Sequence, residues 1–533
     1  MKRNTTIYFF LLALVLSCTP ATKEITSSEQ ASITTSYLPP SELYGQLLFD
    51  VQMEKVFEDG KTFVDCIPKI SPDSIVALYE VQKQESGFNL KKFVLTYFDT
   101  PKPLTVDFTT DSTTTLTEHV NRLWDILEKP ADGTQVGTRI SLKHPYVVPG
   151  GRFLEIYYWD TYFTILGLEV SGKYDLIESI LDNFSESIDQ FGFIPNGSRT
   201  YFLGRSQPPF FALMVDLLAA KKGPQVWEKY LPALEKEYTF WMIGSSQLSS
   251  QLSEQKRVVL LDSDVILNRH WDNFDGPRDE MLADDVLVAN NAEGSKENTY
   301  KHLRAGAESG WDYTSRWFAD GQSMHTIETT DIIPVDLNAL LYNLEHTIAK
   351  GHEILSNPAI ASDYRNKAQQ RRDAIITYCW DEKAGYFTDY NFVTKTKSDR
   401  YSIAGVVPLC FNIASDDQAS KVAATIQKDF LKDGGVVSTL SHTGQQWDAP
   451  NGWAPQQWMA VWGLKNYGQD ELAFQIADRW TRLNERVFSR TGKMMEKYNV
   501  EDITLDAGGG EYPVQDGFGW TNGVYLKLKS QLD

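Results

Sequence analysis

Apolar residues recur at helical spacing along most of this chain, and no regular strand–helix alternation interrupts them. Leu337, Leu340, Leu341, Leu344 and Ile348 fall at i, i+3, i+4, i+7 and i+11, which is one stripe of an amphipathic helix. Leu176, Ile177, Ile180, Leu181, Phe184 and Ile188 form a second stripe, closed by Gly192. A third helix is expected to start at Ser415, with Gln418 completing a capping box and Val422, Ile426 and Phe430 on its face. A fourth opens at Asp470, carries Leu472, Ala477, Trp480, Leu483 and Val487, and stops at Gly492. Strand-like alternation is confined to Tyr386–Tyr390 and the stretch from Phe93 to Phe98. Repeated helix–loop–helix units without βαβ alternation argue against doubly wound and TIM-barrel folds. The lack of a repeat of fixed residue identity argues against a solenoid. An all-α body of helical hairpins is expected, and its long loops hold Trp, Gly, Asp and Asn together, where chemistry tends to sit.

The chain of 533 residues is 42% hydrophobic, with 14 Trp, 25 Tyr and 27 Phe, ample for a large core. Its net charge of −20 disfavours nucleic acid as a partner, because phosphate binding needs a basic face. At the N-terminus, Lys2 and Arg3 precede the apolar run Ile7 to Leu16, too short to span a bilayer and laid out as an export signal. Val15-Leu16-Ser17-Cys18 resembles a bacterial lipobox, so residues 1–17 are expected to be removed and Cys18 acylated. Residues 18–40 are rich in Ser, Thr, Ala, Glu and Pro and read as a flexible tether; residues 41–533 read as a single folded domain. Membrane contact is then expected only through Cys18, with the body exported to the periplasm or cell envelope. Cys66, Cys379 and Cys410 have no CxxC spacing and are expected as buried thiols, with one disulfide at most.

Several chemistries lack their residues. There is no HExxH, and the eight histidines show no metal-ligand spacing, so no metal is expected. Gly167 to Lys173 nearly matches a phosphate loop, but Tyr174 stands in the position of the Mg²⁺-binding hydroxyl and no strand precedes it, leaving Gly172 as a helix terminator. Neither G-x-S-x-G nor a strand-linked G-x-G-x-x-G is present, so no cofactor is expected.

What remains is loops rich in carboxylates beside aromatics, a pattern suited to stacking a sugar ring and holding its hydroxyls. Glycoside hydrolysis needs only two carboxyl groups, one protonated and one ionised. Asp312, in Glu308-Ser309-Gly310-Trp311-Asp312-Tyr313, has neighbours that can raise its pKa by desolvation. Glu496, in Met494-Met495-Glu496-Lys497-Tyr498, is also read as a surface acid paired with a lysine. Composition and spacing narrow the class without choosing the pair.

Two longer runs go further. Pro149-Gly150-Gly151-Arg152-Phe153-Leu154-Glu155-Ile156-Tyr157-Tyr158-Trp159-Asp160-Thr161-Tyr162 and Gln446-Trp447-Asp448-Ala449-Pro450-Asn451-Gly452-Trp453-Ala454-Pro455 resemble the two diagnostic motifs of the family 37 trehalases. Gly508-Gly509-Gly510-Glu511-Tyr512, Ser309-Gly310-Trp311-Asp312 and Glu496-Lys497-Tyr498 are similar to that family too. The resemblance implies an (α/α)6 barrel that hydrolyses α,α-trehalose to two glucoses with inversion, with Asp312 as general acid and Glu496 as general base. It also implies sugar contacts from Arg152, Phe153, Trp159, Asp160, Asn196, Arg205, Ser206, Gln207, Arg278, Glu280, Gly310 and Glu511, and a stacking face from Trp453. The chain departs from the family at Asp279, where proline is usual, a change expected to loosen that loop. An inverting pair stands roughly 6.5–9.5 Å apart, leaving room for the attacking water. A monomer with trehalose as its small-molecule partner is expected. The alternatives are a related α-glucosidase on the same barrel acting on another disaccharide, and a catalytically silent sugar-binding protein.

Overall fold

The stripes of period 3.6 fold into two concentric layers of helices in a computed structural model that describes residues 37–102, 104, 114–133, 137–262, 264–505 and 517–532. The export signal, Cys18, most of the tether and Glu511 lie outside the described residues. The inner layer comprises Tyr158–Val170, Phe211–Lys222, Val335–Ile354, the short Val407–Cys410, Ala454–Lys465 and Gly519–Leu532. The outer layer comprises Leu116–Leu127, Tyr174–Phe191, Gln225–Trp241, Pro358–Cys379, Asp416–Thr425 and Asp470–Thr491. The result is an (α/α)6 barrel. Outer helices bury one face: the Leu176 to Ile188 stripe is buried and Gly192 ends its helix at φ 84°. Two inner helices, Tyr158–Val170 and Ala454–Lys465, are buried almost all round; in the first, every residue from Tyr158 to Leu168 is buried. The ring closes where Gly519–Leu532 packs on Tyr158–Val170. At Gly523 a Cβ would lie 2.1 Å from the Phe163 carbonyl oxygen, so only glycine allows this approach.

Ser415 and Gln418 form the expected capping box, and Asp470–Thr491 ends at a left-handed Gly492. Gly172 takes φ 72° just past Tyr158–Val170, as a terminator does. The stretch from Phe93 to Phe98 is not a strand but the end of the helix Leu90–Tyr97, with only Phe98–Asp99 extended. Asn89 caps that helix by accepting the Lys92 N–H at 2.8 Å. Phe93 and Tyr97, four residues apart, meet ring to ring at 4.7 Å. The cap and this side-chain pair outweigh the strand preference of the aromatics. Cys66, Cys379 and Cys410 are buried and free.

Five N-terminal helices between Pro40 and Tyr97 make a smaller apolar cluster that includes Tyr157, Tyr201, Phe202 and Leu282. This cluster brings Lys61 and Asp59 to the loop end of the barrel.

Candidate active site

At that end a cavity is lined by Arg152, Phe153, Trp159, Asp160, Asn196, Arg205, Gln207, Arg278, Glu280, Gly310, Asp312, Trp453 and Glu496. These come from segments more than 300 residues apart in sequence, and the barrel alone brings them together. Among the described residues, Lys61, Tyr157, Phe202, Met281, Ala307, Trp447, Phe518 and Trp520 complete the lining. Trp447 sits inside a quoted motif, a signal of place but not of role, and Trp520 sits in the first turn of the helix Gly519–Leu532. Lys61 carries no signal.

One wall is charged. Arg205 donates from Nε to Asn196 Oδ1 at 2.9 Å, from Nη1 to Asp272 at 3.2 Å and from Nη2 to Glu280 Oε1 at 2.6 Å. Burial works against ionising Glu280, but Arg205 and Arg278 overcome it and hold its pKa below the usual carboxylate value. Glu280 Oε2 has no hydrogen-bond partner among the described residues, leaving an acceptor for a sugar hydroxyl. Arg278 precedes the helix Leu282–Asn291 and is bound by Asp285, which accepts its backbone N–H at 2.8 Å and its Nη2 at 2.7 Å. The loop between them is not loosened by Asp279. The Asp279 carboxylate accepts the Ser41 N–H at 2.8 Å, and its carbonyl accepts from Gln52 Nε2 at 3.1 Å, so side-chain and backbone hydrogen bonds do what a proline ring would do.

The opposite wall is aromatic. Trp447 and Trp453 stack at 3.9 Å and 6° between planes, Trp159 lies 5.7 Å from Trp447, and Trp520 meets Trp453 edge-on at 5.6 Å. The expected sugar-stacking face of Trp453 is therefore covered by Trp447, although Trp453 still lines the cavity. Ser206 also differs from expectation. It does not line the cavity; its hydroxyl donates to the Ile194 carbonyl at 2.6 Å and its N–H to Glu308 at 3.1 Å, so it holds the loop that carries Arg205 and Gln207. Gln207 in turn accepts the Trp159 N–H at 3.1 Å.

Asp312 follows the helix Lys296–Glu308 after a turn at Gly310, whose φ is 75° and whose position leaves no room for a Cβ, which would meet the Trp159 indole at 2.8 Å. Burial pushes the Asp312 pKa up from its ordinary 3.8 to about 6, with Arg278 and Arg205 opposing the rise. Asp160 is pushed well above the usual range by burial, reinforced by the nearby charges of Glu496 and Asp312. Glu496 has Lys497 Nζ at 3.3 Å, and its backbone carbonyl accepts from Trp520 Nε1 at 3.0 Å. A carboxyl group of raised pKa and a second carboxyl group lining one cavity with arginines and indoles are groups suited to protonating a leaving oxygen while activating water.

Comparison with known proteins places this arrangement in context. Residues 55–532 match the family model described as Trehalase. The chain is 45% identical over 505 residues to the periplasmic trehalase of Salmonella paratyphi B, covering 94% of this chain and 88% of that protein. It is 47% identical over 493 residues to the periplasmic trehalase of Xanthomonas oryzae pv. oryzae, covering 92% of this chain and 86% of the relative. In fold it is similar to the neutral trehalase from Saccharomyces cerevisiae, with a TM-score of 0.61 at 24% identity over 93% of this chain and 95% of the other. It is also similar in fold to a mannosylglycerate hydrolase of glycoside hydrolase family 63 from Thermus thermophilus, with a TM-score of 0.55 at 15% identity over 78% of this chain and 100% of the other.

Proposed function

The chain belongs to the trehalase family, whose enzymes hydrolyse trehalose, and from that premise we propose that it cleaves α,α-trehalose with inversion, Asp312 acting as general acid and Glu496 as general base. The observation that carries this reading is the convergence of both acids and the sugar-holding side chains on one cavity. In the reaction, Glu496 takes a proton from water as the water oxygen attacks the anomeric carbon. The bond from that carbon to the bridging oxygen breaks, and Asp312 gives that oxygen its proton. The raised pKa of Asp312 supports the donor role, because the acid must still hold its proton when substrate arrives.

The charged wall supplies orientation: Arg205, Arg278 and Arg152 offer N–H donors, and Glu280 Oε2 and Asn196 offer acceptors for hydroxyls. The raised pKa of Asp160, caused by its burial, supports a donor role toward a hydroxyl. The indoles exclude water and present flat apolar surface to the sugar ring. The periplasmic relatives and the N-terminal signal support export to the periplasm. The lipobox-like Val15-Leu16-Ser17-Cys18 supports anchoring through an acylated Cys18. No described helix is long and apolar enough to cross a membrane.

Following trehalose cleavage by NMR tests the reaction. One α-glucose and one β-glucose should appear together, and release of α-glucose alone at early times would overturn inversion. Faster release of glucose from maltose than from trehalose would overturn the substrate.

A further inference from the structure

The segment Gln446–Asp448 is tied to the segment Asp312–Ser315 residue by residue. Gln446 Nε2 donates to the Asp312 carbonyl, and the Trp447 N–H donates to the Tyr313 carbonyl at 3.1 Å. The Asp448 carboxylate accepts the Thr314 hydroxyl at 2.7 Å, and the Ser315 N–H and hydroxyl at 2.9 Å each. The same run is tied to Glu496 from the other side. Gln446 Oε1 accepts from Lys497 Nζ at 3.3 Å, and that ammonium lies 3.3 Å from Glu496 Oε2. Trp453 Nε1 donates to the Gln446 carbonyl at 3.0 Å, and Asn451–Trp453 pairs as a strand with Lys497–Asn499, Trp453 opposite Lys497.

Among these contacts only the Gln446 side chain reaches both sides at once. We infer that Gln446 is a positioning residue that fixes the separation between Asp312 and Glu496, by bonding the Asp312 carbonyl with its amide nitrogen and the Lys497 ammonium with its amide oxygen. This rests on the reading of Asp312 and Glu496 as the reacting pair. Gln446 is 2% exposed and is not among the cavity-lining residues, so it acts through its neighbours rather than on the sugar. The chemistry selects the residue type. A carboxamide donates to a carbonyl and accepts from an ammonium at the same time; an ionised carboxylate only accepts, and an aliphatic side chain does neither. The second diagnostic run thereby acquires a task of its own: it is the strap across which acid and base are held.

The test is steady-state kinetics of Gln446→Leu and Gln446→Glu on trehalose and on α-glucosyl fluoride, with melting temperatures measured alongside. Fluoride departs without needing a proton from Asp312, so that substrate reports the base side with little demand on the acid. On trehalose, kcat should fall about 100-fold, the cost typical of an ångström-scale misplacement, with KM within about threefold. On α-glucosyl fluoride the fall should be several-fold smaller. If Gln446→Leu does not fold, Gln446→Glu keeps the side-chain length and the bond to Lys497 while losing the donor to Asp312, and carries the test alone. A wild-type kcat in either folded variant, a change in KM alone, or equal losses on the two substrates would overturn the proposal. Asp312→Asn is the control: if it retained trehalose hydrolysis, the acid assignment itself would fail, whereas an inactive Asp312→Asn beside a fully active Gln446→Glu would sink only the positioning role.

Discussion

The two walls of the cavity are built on opposite principles. The charged wall hangs on a few ion pairs and hydrogen bonds: Arg205 ties Asn196, Asp272 and Glu280 together, and Arg278 is held by Asp285. The aromatic wall is held by itself, each indole touching several others, as Trp447 touches Trp159, Trp311, Trp453 and Trp520. A buried ion pair that loses one partner strands a charge, whereas an aromatic cluster that loses a few atoms loses only contact area. The charged wall is therefore brittle and the aromatic wall tolerant, and substitutions on each side should separate cleanly.

The largest effect belongs to Asp312 and Glu496, the proposed reacting pair. Asp312→Asn should lower kcat on trehalose about 10³–10⁴-fold, the range for loss of a general acid. It should also stabilise the protein in a pH-dependent way. The folded Asp312 pKa, about 6, lies above its ordinary 3.8, so both states hold the proton well below pH 3.8 and the substitution is neutral there. As pH rises from 3.8 through 6 the unfolded chain releases its proton first, and the wild-type fold is penalised. At pH 8 the Asn variant should be more stable by about 3 kcal/mol, the difference vanishing well below pH 3.8 in denaturant titrations. Equal stability at both pH values would show that Asp312 is not desolvated. By the same proton, wild-type kcat/KM should decline as pH rises through about 6.

The sequence made these two walls unequally visible, and for a physical reason. Arg152, Arg205, Arg278 and Glu280 are reached through the resemblance to the trehalase motifs, and the burial of Arg205, Arg278 and Glu280, which the sequence does not show, fits function or ion pairing rather than plain packing. Trp447, Phe518 and Trp520 are not, because an indole in a core and an indole beside a sugar look alike in a sequence. Ser206 and Trp453 fall inside recognisable runs, yet the Ser206 hydroxyl is spent on the Ile194 carbonyl and the Trp453 face on Trp447, which no spacing reveals. Lys61 reaches the cavity only because the N-terminal helices pack against Tyr157 and Phe202, a contact between parts of the chain that share no local signal. The helices divide in the same way. Tyr174–Phe191 and Asp470–Thr491 show their stripes because solvent bathes one face, but Tyr158–Val170 and Ala454–Lys465 are buried all round, which erases the period that would mark them.

The next effect tests the brittleness of the charged wall. Arg205→Leu leaves Glu280 without its 2.6 Å partner, while Asp272 keeps Arg304 at 3.2 Å. It should cost about 3–5 kcal/mol of stability in chemical denaturation, as broken buried pairs do, and lower kcat/KM about 10²–10³-fold. Adding Glu280→Gln removes the stranded charge and should recover part of the stability but none of the activity. Recovery of both would mean that Arg205 serves Glu280 alone and gives nothing to the sugar.

The smallest effect tests the tolerance of the aromatic wall. Trp447→Phe keeps a ring between Trp311 at 5.4 Å and Trp453 at 3.9 Å and gives up only part of the stacked area. The stability loss should be about 1–2 kcal/mol, the scale of an aromatic pair plus a few buried atoms. Activity should fall less than about tenfold and mainly through KM, because the ring shapes the cavity without touching the proton transfers. The backbone strap is unaffected, since the Trp447 N–H donates to the Tyr313 carbonyl whatever its side chain. A kcat loss as large as that of Arg205→Leu would abolish the distinction between the walls and make Trp447 part of what aligns Asp312.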